Sequence, residues 1–168
     1  MDNQVCCSCK KPKAPYECGI CHQHACKACT QFLGEDYFSY LRVIPADLKH
    51  TNYCPQCYEE KIAAAREDYD ATMEKAKDII IYSKDQAKLT RLLKPKSPPY
   101  FVENCEDEKE ALMRMSFFAV QDNFNCLMTV QFKSSKLINA SHKKTLVAAQ
   151  GTPITIDPTK IRGHIDPP

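Results

Sequence analysis

The residues best suited to chemistry are cysteines, which form four Cys-x-x-Cys pairs within the first 57 residues. With two residues between them, both sulfurs of a pair lie on the same side of a tight turn and can share one metal ion. Eight such thiols are the ligand set of two tetrahedral zinc ions. We therefore predict two structural Zn²⁺ per chain, held by these ligands: Cys6, Cys9, Cys18, Cys21, Cys26, Cys29, Cys54 and Cys57.

The gaps between the pairs predict how the two ions share them. Eight residues separate the first pair from the second, four separate the second from the third, and twenty-four separate the third from the fourth. Because the middle pairs are too close to form separate sequential sites, an interleaved cross-brace is favoured. Pairs one and three would bind one ion, and pairs two and four the other. Each structural zinc supplies on the order of 10 kcal/mol of folding free energy, so a short segment can fold with little apolar core.

This order of pairs, followed by a helix, resembles that of FYVE-type zinc fingers over roughly residues 4–64. The likeness is carried by ECGICHQHACKACTQF and YCPQCYEEKI. The resemblance implies a FYVE-like double-zinc module over residues 1–60. It does not extend to the lipid site of that family, because residues 14–17 (APYE) stand where the family has a basic run. We therefore expect phosphoinositide binding to be absent.

Two alternatives compete with this interpretation. Cys18, His22, Cys26 and Cys29 fit the spacing of a RING-type ubiquitin ligase adaptor, in which His22 would be a ligand and Cys21 would not. The second alternative is weak binding of phosphoinositide or nucleic acid by a lysine patch. The lysines of that patch are Lys10, Lys11, Lys13, Lys27 and Lys49.

A connecting helix is predicted over residues 61–77, within a longer stretch that is rich in helix formers and lacks Gly and Pro. Its apolar residues recur at steps of three and four, which gives one narrow stripe. We expect the stripe to dock against its own domain, and a self-association seam is the alternative. The stripe consists of Ile62, Ala65, Tyr69, Met73 and Ala76.

The rest of the chain predicts a small α+β domain with antiparallel strands over residues 78–157, followed by an extended tail over 158–168. Its strands are expected where β-branched residues cluster or apolar and polar residues alternate. The helix is expected where the sequence is apolar on most sides. The predicted elements are a strand at 78–83, a short helix to Leu93, a connector at 94–99, a helix from an Asn104 N-cap to Gln121, a strand at 124–133, a polar loop, and a strand at 145–156.

The sequences EALMRMSFFAVQDNFNCLMTVQFKSS and VAAQGTPITI in this region are similar to those of the YbjQ-like family. That family is described as heavy-metal-binding, is small α+β, and forms rings of subunits. The resemblance covers about residues 78–157, and it implies a fold and a possible homo-oligomer. It implies no functional residue in this chain.

Composition and motifs narrow the function classes. The 23 Lys+Arg nearly balance 21 Asp+Glu, so there is no global attraction to nucleic acid. No nucleophile-elbow, zinc-protease or phosphate-loop motif is present, although Cys105 or Cys126 could pair with His142 as a thiol–imidazole couple. We find no transmembrane run and no signal segment, and three cysteines fall outside the pairs. We expect a non-enzymatic cytoplasmic zinc protein that binds a protein partner.

Overall fold

A computed structural model of the chain describes residues 4–86, 97–139 and 142–157. The chain divides into two compact units, Met1–Ala71 and Thr72–Pro168. The fold class is α+β, as predicted, with a cysteine-rich first unit and a second unit built on a four-stranded sheet. Within the described residues, no helix is long and apolar enough to cross a membrane.

Short antiparallel strand pairs frame the first unit. The first pair places Tyr16 opposite Ala25, and the second places Gln31 opposite Tyr53. Tyr53 is fully buried, and its hydroxyl donates to the carbonyl oxygens of Asp47 and His50. The strands are β1 (Tyr16–Glu17), β2 (His24–Ala25), β3 (Gln31–Phe32) and β4 (Asn52–Tyr53), with a 3-10 turn at Ala46–Leu48.

A continuous helical run follows β4. It begins as α1 (Pro55–Cys57), passes through a π-helical segment (Tyr58–Ile62) and continues as α2 (Ala63–Ala76). The first part of the predicted stripe docks on its own unit, because Ile62 is 0% exposed and Tyr69 is 8% exposed. Tyr69 packs against two aromatic rings of the preceding loop, those of Tyr37 and Phe38, with centroids 5.8 and 5.2 Å away.

The described part of the second unit contains a mixed four-stranded sheet and a helix that packs on it. The elements are β5 (Ile80–Ser83), a 3-10 turn (Lys84–Gln86), β6 (Tyr100–Cys105), α3 (Glu108–Gln121), β7 (Cys126–Asn139) and β8 (His142–Ile154). The strand order in the sheet is β5-β7-β8-β6. β5 runs parallel to β7, whereas the other two neighbouring pairs are antiparallel. The parallel pair differs from the predicted antiparallel arrangement, because β6 and α3 intervene in the chain between β5 and β7.

One face of this sheet packs against α3. Ala111, Met115 and Ala119 of the helix are 0% exposed and join a cluster with Leu127 and other sheet residues. The helix begins later than predicted, because Asp107 and not Asn104 is the N-cap. The Asp107 carboxylate accepts from the Glu110 amide at 2.7 Å, which is the usual N-cap bond. Asn104 instead lies in β6 with φ 59°.

Three sequence predictions for the second unit were wrong or incomplete. Strand β6 was missed, and the predicted polar loop is part of a long hairpin in which Ser134 pairs with Val147 and Lys136 with Thr145. The described start of the predicted short helix, Lys84–Gln86, is a 3-10 turn. Its continuation to Leu93, the start of the connector and the tail at 158–168 lie outside the described residues.

A bulge in β7 changes which side chains face the helix. Between Met128 and Gln131 the pairing register with β8 shifts by one residue, and Thr129 has φ 55°. Leu127 before the bulge and Val130 and Phe132 after it therefore pack on the side of α3, whereas Cys126 and Met128 belong to a separate cluster with Ile154. A bulge adds one residue to one strand, so a single period-two pattern cannot describe β7.

Candidate metal centre

The eight predicted ligands come together as two groups of four. The first consists of Cys6, Cys9, Cys26 and Cys29, and the second of Cys18, Cys21, Cys54 and Cys57. We call them the first and second tetrad. This is the interleaved arrangement that the gaps predict, with pairs one and three together and pairs two and four together.

The spacing of the sulfur atoms suits a tetrahedral ion. Within each tetrad all four Sγ atoms lie within 4.8 Å of one another, and the Cys9–Cys26 and Cys21–Cys54 pairs are each 3.7 Å apart. Four sulfurs at about 2.3 Å from a central zinc stand about 3.8 Å from each other. The residues present therefore fit a metal ion bound by four thiolates.

The first cysteine pair of each tetrad lies in a tight knuckle of the same backbone form. In the first knuckle, the Lys10 amide donates to the Cys6 carbonyl at 3.0 Å, and in the second the His22 amide donates to the Cys18 carbonyl at 3.0 Å. Lys10 and His22 both adopt positive φ, 61° and 58°. The left-handed conformation closes the turn and aims both cysteines of the knuckle at one point.

The other pair of each tetrad lies in a helical turn that follows a short strand. In the first tetrad the Cys29 and Thr30 amides donate to the Cys26 carbonyl, both at 3.0 Å. In the second, Cys54 is the N-cap of α1, and its sulfur accepts from the Cys57 amide at 3.5 Å. Each predicted metal site thus combines one knuckle with one helical turn.

His22 lies outside both tetrads. Its Nδ1 is 2.7 Å from the Glu17 carboxylate, and its side chain is 74% exposed. Cys21, and not His22, is the fourth member of the second tetrad. The arrangement therefore does not have His22 as a ligand in place of Cys21, as a RING-type site would require.

The thiols of each tetrad differ in pKa, and the first and last cysteines differ in the same direction in both tetrads. Hydrogen bonds from the Cys26 and Cys9 backbone lower the pKa of Cys6 to about 6. Burial works against ionisation of Cys18, but backbone hydrogen bonds from Cys21 and Cys54 lower its pKa to about 6 as well. The last cysteine of each tetrad is the hardest to ionise. Hydrogen bonds that the Cys29 thiol donates to the Cys26 and Cys9 side chains raise the pKa of Cys29 to about 12.

Burial likewise raises the pKa of Cys57, with further contributions from Cys54 and Cys21. Four negative sulfurs cannot remain ionised so close together unless a cation neutralises them. Each tetrad therefore offers one ready thiolate as a first ligand, and binding of a divalent ion would release the remaining protons.

The three cysteines outside the pairs have different surroundings. Cys105 and Cys126 are fully buried in the second unit, and burial raises the pKa of Cys126 to about 12. Burial also raises the pKa of Cys105, so both thiols ionise less readily than an exposed cysteine. Cys7 packs beside both tetrads, a placement that the sequence analysis did not predict.

Comparison with known proteins gives no relative for this arrangement. The two tetrads are compatible with a cross-brace module, and the thiolate-only donor sets suit zinc. No family model, curated protein or solved structure matches the chain.

Proposed function

We propose that each tetrad binds one Zn²⁺ and that the first unit is a cross-brace double-zinc module of the FYVE-like kind. The observation that carries this proposal is the interleaving of four pairs into two groups with sulfur atoms 3.7 Å apart. Bound zinc would neutralise the thiolates and link segments far apart in sequence, such as Cys18 and Cys57.

The metal sites would be structural and the protein non-enzymatic. A zinc ion held by four thiolates has no open position for water or substrate, so it cannot act as a Lewis acid in a reaction. A protein that depends on reduced thiols in this number suits a reducing compartment, and we place it in the cytoplasm.

Metal analysis of the purified full-length chain tests the proposal. We expect two zinc ions per chain by mass spectrometry under native conditions and by elemental analysis. A tetrahedral thiolate site also accepts iron, which would colour the protein, so a colourless sample with two zinc ions is the expected result. Fewer than two metal ions per chain would contradict the proposal.

We further propose that the protein is a binding module that self-associates through its second unit. The support is Phe101, which is 65% exposed in edge strand β6 and lines an open groove of about 460 Å³. Glu103 and Lys133 line the same groove. A two-fold axis through such a surface would place the lysine of one copy near the glutamate of the other, so the groove is self-complementary in charge.

Light scattering at several protein concentrations tests this association. We expect the wild-type chain to dimerise and Phe101→Lys to be monomeric, because the substitution places a charge in the apolar part of the interface. Val43→Lys is the matched control, since Val43 is also apolar and is 81% exposed in the first unit. A monomeric wild-type chain, or a Phe101→Lys variant that still dimerises, would rule out this interface.

A further inference from the structure

Cys7 places a ninth thiol beside the second tetrad. It follows Cys6 directly in the chain, yet its side chain packs against the cluster formed by Cys18, Cys54 and Cys57 as well as against the one that contains Cys6. Its thiol lies close enough to that of Cys54 for the two to interact. The second tetrad therefore has a fifth cysteine packed against it, one more than a tetrahedral ion needs.

The knuckle itself does not require a side chain at this position. Cys7 and Gly19 occupy equivalent positions, because each follows the first cysteine of its knuckle. The Cys7 amide donates to the His24 carbonyl at 2.8 Å, and the Gly19 amide donates to the Asn52 carbonyl at 2.9 Å. Gly19 has no side chain, because a Cβ atom there would lie 2.2 Å from the His50 ring. The thiol at position 7 is therefore an addition to the shared backbone form.

We propose that Cys7 is a reserve ligand of the second tetrad, able to replace Cys54 on a bound Zn²⁺ or Cd²⁺. This inference rests on the proposed zinc function. In the exchange, the Cys7 sulfur bonds to the metal and gives up its proton, while the Cys54 sulfur leaves the metal and takes up a proton. The charge of the site and the number of thiolates on the ion are unchanged.

The exchange would connect the two metal sites. Cys6 binds in the first tetrad, and the adjacent Cys7 would bind in the second, so one peptide unit would join ligands of both ions. Cys54 would remain nearby after displacement, because its sulfur caps α1. A route of this kind would keep four sulfur ligands on the bound ion while one of them is exchanged.

The test compares metal binding by Cys54→Ser with and without Cys7. Serine is a good N-cap, so this substitution removes the sulfur while keeping the start of the helix. Full-length variants are loaded with ¹¹³Cd²⁺, and the bound ions are counted and their sulfur coordination read from the cadmium NMR shifts. We expect two four-sulfur sites in wild type, in Cys7→Ser and in Cys54→Ser, but only one in Cys7→Ser/Cys54→Ser.

Cys26→Ser is the matched control, because Cys26 is the equivalent ligand of the first tetrad. It should lose one four-sulfur site whether or not Cys7 is present. A Cys54→Ser variant with a single four-sulfur site, or a double variant that keeps two, would overturn the inference. If wild type itself bound fewer than two ions, the zinc proposal would fail and this inference with it, so the two failures are distinguishable.

A kinetic measurement addresses the same point without disturbing any tetrad ligand. Zinc transfer from the loaded protein to a coloured chelator is followed for wild type and Cys7→Ser. We expect one of the two zinc ions to leave wild type several-fold more slowly than it leaves Cys7→Ser, because the Cys7 thiol binds the ion whenever Cys54 dissociates. Equal rates for the two proteins would contradict the reserve-ligand role.

Discussion

The two tetrads are built from one backbone form used twice, but only the second continues into a packed helix. Each has a knuckle closed by a residue with positive φ and a helical turn after a short strand. After the first tetrad the chain leaves its turn at Thr30, whose hydroxyl donates to the Cys26 carbonyl at 3.0 Å. After the second, the helical run extends to Ala76 and buries Ile62 and Tyr69.

This difference separates two ways of stabilising a small fold. The turn of the first tetrad ends without a helix, so its local structure would depend chiefly on its metal. The second tetrad adds an aromatic and aliphatic cluster in which Tyr37 also binds Arg66 and Asp70. We therefore expect loss of metal to affect both tetrads and loss of packing to affect mainly the second.

Metal removal should give the largest effect. Treatment with a strong chelator under reducing conditions should unfold the first unit, because each ion contributes on the order of 10 kcal/mol to its folding. The second unit, which has its own core beneath α3, should keep its sheet. Residue-resolved NMR of the full chain measures both, and a first unit that stays folded without metal would contradict the account.

Ile62→Ala should be the next most damaging change. Ile62 is 0% exposed, and truncating such a side chain costs about 2–5 kcal/mol by lost burial and a residual cavity. Thermal unfolding of the zinc-loaded protein measures this cost. Val43→Ala, at an 81% exposed position, should change stability by less than about 0.5 kcal/mol. A similar loss of stability in the two variants would contradict the prediction that the packing of Ile62 stabilises the second tetrad.

Gly19→Ala should destabilise the second knuckle by about 1–3 kcal/mol, the usual cost of overpacking. The added Cβ would lie 2.2 Å from His50 Cγ and 2.3 Å from its Cβ, so the residue must move as a whole. Gly34→Ala is the control, because a Cβ atom added at Gly34 would have no neighbour within 4 Å. Denaturant unfolding of both variants with zinc bound measures the difference in their free energies of unfolding. Equal free energies would show that the knuckle can move to accommodate the added Cβ atom, against this prediction.

His22→Gly should have the smallest effect and the opposite sign. Glycine adopts positive φ without the steric cost borne by other residues, about 1 kcal/mol, and the exposed bond to Glu17 contributes little. We expect a slight gain in stability and two zinc ions still bound. Loss of one ion would instead assign His22 as a ligand and restore the RING-type interpretation. Lys10→Gly should give the same slight gain in stability at the first knuckle, where Lys10 also has positive φ.

The cysteine pairing could be predicted from sequence because its signals are local and their gaps limit the topology. Strand β6 could not be predicted, because its apolar residues are followed by the polar Glu103 and Asn104. Its pairing with β8 is also irregular near Asn104, which has φ 59°. The long hairpin was missed for a related reason. Its outer part, Ser134–Lys136, is exposed on both faces, so no apolar alternation marks it as strand.

The packing of Cys7 against the second tetrad could not be predicted from the sequence either. Its sequence neighbours belong to the first knuckle, and only the folded arrangement brings the fourth pair to its thiol. The equivalence of Cys7 and Gly19 likewise depends on backbone hydrogen bonds that spacing alone does not reveal.

Interleaving also imposes an order on assembly as the chain is synthesised. The ligands of the first tetrad have all left the ribosome once Cys29 emerges, whereas the second must wait for Cys57. During that interval a first bound ion would already close the loop that contains the knuckle of Cys18 and Cys21. Translation would thus load one site before the other can exist, and the early ion would serve as a template for the later one.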